Sequence, residues 1–103
     1  MSGSVRIPVE RLRQACELLL DHLAQNEDGV AELERDYFWS IDDDTLYNVY
    51  VEPEELGVGQ VSESWAHVEA LLDGVDESPT RHLVWLAEVL RAVGTPETRK
   101  PMP

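Results

Sequence analysis

The chain has one cysteine, one phenylalanine, one lysine and no long hydrophobic run. The first and the last of these each remove a class of protein. A single thiol, Cys16, cannot form an internal disulfide framework. The apolar stretches, such as 18–20 and 83–87, fall far short of the roughly 18 residues a membrane-spanning helix needs. Residues 1–7 lack the charged-then-apolar build of a secretory signal. The expected compartment is therefore the cytoplasm, with no membrane as a partner.

Positive charge is also scarce. Eight bases stand against 21 acids, giving a net charge of −13. Residues 1–13 and 81–103 each carry a net of +2, whereas residues 14–80 hold 18 acids and one base, Arg35. A field of that sign repels nucleic acid and attracts a basic protein surface.

The motifs of catalysis are missing in the same way. His22, His67 and His82 have no His or Cys at metal-ligand spacing. The register of the helices puts His67 and His82 on wet faces, although the two could meet in space. Cys16 falls in an apolar stripe, without the cations that lower a thiol pKa, and reads as a buried structural thiol. No serine lies in a nucleophile elbow. Gly57-Val58-Gly59 lacks the third glycine of a dinucleotide loop and the Gly-Lys of a phosphate loop. No cofactor is expected, and neither a catalytic nor a metal-binding residue is assigned. Asp42-Asp43-Asp44 is the one run that invites a hard cation, but it fails the calcium-loop spacing. With Glu52, Glu54 and Glu55 it defines a third-ranked reading, a small-ligand or cation-binding protein.

What is present is a globular chain of 103 residues, 43% hydrophobic and 28% charged, the size of one domain. Pro8 opens a helix, and Val9, Leu12, Cys16, Leu19, Leu20 and Leu23 form its apolar stripe up to about Asn26. Residues 30–36 are equally compatible with a helical turn or a short strand. Aromatic and β-branched residues in 37–41 and 46–51 predict a hairpin around the polar break 42–45. Pro53 stops the return strand. A third strand could come from 30–34 or 58–61. Ser62 then caps a helix with Trp65, Val68, Leu71 and Leu72 inward, ended by Asp73-Gly74. Ser78 and Pro79 start a last helix with Leu83, Leu86, Leu90 and Val93 inward, widened by Trp85 and Val89 and stopped by Gly94.

The expectation is an α+β domain over 8–94, with three amphipathic helices on a small antiparallel sheet in the order α-β-β-α-α. Residues 1–7 read as a flexible lead and 95–103 as a tail. In the hairpin, Tyr37, Trp39 and Ile41 would share one face, with Phe38 and Ser40 on the other. If the first set enters the core, Phe38 joins a surface aromatic patch rimmed by acids. The candidate interaction surface is Phe38, Asp42, Asp43, Asp44, Tyr47, Tyr50, Glu52, Glu54 and Glu55. Tyr, Trp and Phe are enriched at protein interfaces.

The pattern Asp36-Tyr37-Phe38-Trp39-x-Ile41, then Leu46-Tyr47-Asn48-Val49-Tyr50, then Gly59-Gln60-x-Ser62-Glu63-x-Trp65, with Leu83-x-x-Leu86-Ala87-x-x-Leu90-Arg91-x-x-Gly94, resembles a family of small bacterial proteins. That resemblance spans most of 8–94 and implies no activity and no catalytic residue. In size and acidity the chain is also similar to immunity proteins that neutralise bacterial toxins. The leading expectation is a non-enzymatic, immunity- or adaptor-like module that binds a basic protein. The runner-up is a structural or regulatory homodimer joined through the hairpin.

Overall fold

A computed structural model describes residues 4–26, 28–74 and 79–99. The chain forms two compact units, Met1–Ala31 and Glu32–Pro103. The first holds one helix, α1 (Val9–Asn26). The Pro8 carbonyl accepts the Leu12 N–H at 3.1 Å, so the proline stands one residue ahead of the helix. Gly29, at φ +80°, donates its N–H to the Ala24 carbonyl at 3.2 Å and closes the other end. A left-handed residue there suits glycine, which has no Cβ to clash. Arg13 pairs with Glu10 at 3.0 Å on the exposed face.

The second unit contains β1 (Tyr37–Ser40), α2 (Asp43–Leu46), β2 (Gly57–Gln60), α3 (Val61–Leu72), α4 (Pro79–Gly94) and a 3₁₀ turn, Pro96–Thr98. The class is α+β, and the order helix, strand, strand, helix, helix is observed, with the short helix α2 between the strands. β1 and β2 are antiparallel, and Tyr37, Phe38, Trp39 and Ser40 face Gln60, Gly59, Val58 and Gly57.

The return strand is therefore not 46–51, as β-propensity suggests, but Gly57–Gln60. Gly59 explains the choice. Phe38 lies directly over Gly59, and a Cβ at Gly59 would sit 2.7 Å from Phe38 Cε2. Only glycine at position 59 admits the ring where it lies. Residues 46–51 instead make a helical end and turns. Residues 30–36 form neither a helix nor a strand, but Leu33 makes an isolated antiparallel bridge with Arg99. Where the sequence reads as a tail, Glu34 donates to the Thr98 carbonyl at 2.8 Å, and Thr98 Oγ1 donates to the Ala92 carbonyl.

Buried side chains concentrate between α3 and α4: Val61, Ser64 and Val68 from one, His82 and Ala92 from the other. Both faces differ from the expected stripes. Trp65 and Leu72 of α3 are exposed, as is Leu83 of α4, while His82 is 3% exposed. Trp85 accounts for the place of the histidines. Its ring stacks on His67 at 3.9 Å and takes His82 edge-on at 4.9 Å. A ring nitrogen of His82 lies 3.1 Å from the His67 carbonyl. The histidines expected on wet faces thus help join the two helices. Ser64 Oγ donates to Glu88 Oε1 at 2.8 Å across the same seam. Gly74, at φ +86°, ends α3 as expected. The capping role predicted for Ser78 lies outside the described residues.

Candidate docking surface

The β1–β2 connection, residues 41–56, carries six carboxylates and no lysine or arginine. Its start is anchored. Asp42 precedes α2, and its carbonyl accepts the N–H groups of Thr45 and Leu46 at 3.1 and 2.8 Å. Asn48 Oδ1 then accepts the Tyr50 N–H at 3.2 Å, a local bond that favours a turn over a strand.

The loop is tethered to α4 through Asp43, whose Oδ2 lies 3.0 Å from Arg81 Nη1. The Arg81 guanidinium in turn lies 5.6 Å from the centre of the Trp85 ring. Asp43, Arg81, Trp85 and His67 therefore form a chain of contacts from loop to core. Its outer member is a surface ion pair, which water weakens.

The loop's side chains are turned outward. Tyr47, Val49 and Tyr50 are 85%, 87% and 95% exposed. Asp42, Asp43, Asp44, Glu52, Glu54 and Glu55 are exposed as well. Phe38 departs from the expected surface, since it is half-buried over Gly59. Its strand neighbours Tyr37 and Trp39 face out instead, together with Val58 of β2. The sequence pairs these residues correctly by face but does not say which face is wet.

Between the loop and α4 lies a broad concavity of about 1280 Å³, lined by loop carboxylates and by Arg35, Arg81 and Arg91. Among the described residues, no group of three or more His, Cys, Asp or Glu side chains could hold a metal ion. No described helix is long and apolar enough to cross a membrane. Cys16 is partly exposed rather than buried.

Sequence reasoning missed one residue that shapes the surface, Asp36. Its carbonyl accepts the Val61 N–H at 2.8 Å. Its carboxylate accepts the Ser62 hydroxyl at 2.6 Å, the Ser62 N–H at 2.7 Å and the Gln60 amide at 3.3 Å. Asp36 thus caps α3 from 26 residues away, a role expected of Ser62. The Ser62 hydroxyl, then its N–H, hold the Asp36 carboxyl below the usual carboxylate range, against a smaller opposing effect of burial. The cap fixes the start of β1 to the start of α3, and so sets where the loop leaves and rejoins the fold.

Comparisons with protein-family models, curated proteins and solved structures return no match to this chain.

Proposed function

We propose that this chain is a non-enzymatic, immunity- or adaptor-like interaction module acting in the cytoplasm. Its acidic, aromatic loop docks on a basic surface of a partner protein. The observation that supports this reading is the loop itself: two tyrosines and a valine at least 85% exposed, among six carboxylates with no cation in the same segment. Exposed tyrosines supply contact area at little cost in side-chain freedom. The carboxylates steer the encounter and repel acidic competitors.

The test is affinity capture from native lysate at low and moderate salt, with a variant carrying Asp42→Asn, Asp43→Asn and Asp44→Asn beside the parent. The reading expects one dominant basic protein, depleted at moderate salt and in the variant. Capture of an acidic protein, or capture indifferent to both changes, contradicts it.

The exposed Tyr37, Trp39 and Val58 face favours a second reading, a homodimer paired through the sheet. Light scattering across micromolar concentrations separates the two, because the first expects a monomer.

A further inference from the structure

Building on the basic partner proposed above, we infer that the partner adds an extended, cationic segment as a third strand along the open edge of β1. The register identifies the edge. The bond from the Val61 N–H to the Asp36 carbonyl makes 36 and 61 a hydrogen-bonded pair. Antiparallel ladders alternate bonded and non-bonded pairs. Phe38–Gly59 and Ser40–Gly57 are then the next bonded pairs, and the N–H and C=O groups of Tyr37 and Trp39 turn away from β2. Among the described residues, the sheet has only these two strands, so nothing in it pairs with that edge.

The chemistry of the edge specifies its occupant. Tyr37 and Trp39 are 68% and 72% exposed, two residues apart on one face. Aromatic faces attract Lys and Arg side chains. Beyond Ser40 the edge runs into Asp42, Asp43 and Asp44, all exposed. An extended segment presents alternate side chains to one face, so alternating cations meet both rings and then the carboxylates. A basic helix would leave the backbone groups of Tyr37 and Trp39 unused. The outer edge of β2 is less open. The Gln60 carbonyl already accepts the Ser64 hydroxyl at 3.3 Å, and α3 begins at the next residue.

The experiment titrates the intact protein with a synthetic alternating Lys-Val peptide of about eight residues, the length of an ordinary strand. It reads affinity, and hydrogen exchange at the Tyr37 and Trp39 amides by NMR. A second peptide carries N-methyl groups on alternate residues along the pairing edge. Strand addition expects exchange at both amides to slow about tenfold or more on binding, and N-methylation to weaken binding by a similar factor. Equal binding of both peptides without amide protection overturns strand addition and leaves the basic-partner reading standing. Failure of both peptides to bind overturns both. Protection of Tyr37 and Trp39 in the protein alone, rising with its concentration alongside a dimer mass, overturns the inference by giving the edge to a second copy.

Discussion

Replacing Asp36 with alanine removes three acceptor contacts in one step and leaves only the backbone bond to Val61. The carboxylate contacts are short, at 2.6 and 2.7 Å to Ser62, with a longer one at 3.3 Å to Gln60. Loss of a helix cap costs about 1 kcal/mol, within a range of about 0.5–2. Charged hydrogen bonds are stronger than neutral ones, but water reaches this site and screens part of the gain. Asp36→Ala should therefore destabilise Glu32–Pro103 by about 1–1.5 kcal/mol. In urea unfolding that lowers the midpoint by roughly 1 M, for a slope of about 1–1.5 kcal/mol/M. Asparagine caps nearly as well as aspartate, so Asp36→Asn should lose less than half as much. The pH dependence has a definite sign. Asp36 is depressed below its ordinary value in the folded state. Its charge-linked stabilisation is therefore complete above the unfolded carboxylate pKa of about 3.9, and is lost as pH falls through the lower folded value. The gap between parent and Asp36→Asn should be constant above about pH 5 and close below about pH 3. A gap under about 0.3 kcal/mol for Asp36→Ala, or one that widens in acid, refutes the cap.

Three further substitutions probe the fold around the loop. Gly59→Ala drives a methyl into the Phe38 ring and should cost about 1–3 kcal/mol by calorimetry, with part recovered when Phe38→Ala is added. Ser64→Ala strips Glu88 of its 2.8 Å hydroxyl donor and should lower stability by about 1 kcal/mol in urea. Tyr47→Ala with Tyr50→Ala touches side chains 85% and 95% exposed, so the melting temperature should hold within about a degree or two while partner affinity falls about tenfold or more.

Local signals were legible in the sequence where local physics decides. Pro8 precedes α1, which ends at Asn26 as expected, Gly74 ends α3 and Gly94 ends α4. The aromatic strand at 37–40 is also where its composition puts it. The misreadings share a cause, which is that distant partners overrode local preference. Residues 46–51 have strand-like composition, yet β1 pairs with Gly57–Gln60 because Phe38 needs a glycine beneath it. Ser62 resembles a cap, yet Asp36 supplies the carboxylate. His82 resembles a wet-face residue, yet Trp85 draws it inward. For the candidate surface, the exposure of 42–55 was readable because its six carboxylates, three of them consecutive, resist burial. Which face of β1 stays wet was not readable, since alternation fixes the two sets and only packing chooses between them.

The most direct test of the central claim is the association rate of the captured partner, purified, with the parent protein across about 0.05–0.5 M salt. An acidic docking loop predicts that the on-rate falls about tenfold or more over that range, with a much smaller change in the off-rate. It also predicts that the Asp42→Asn, Asp43→Asn, Asp44→Asn variant starts lower and loses most of the slope. An on-rate that ignores salt, or a variant that matches the parent at every concentration, contradicts the account.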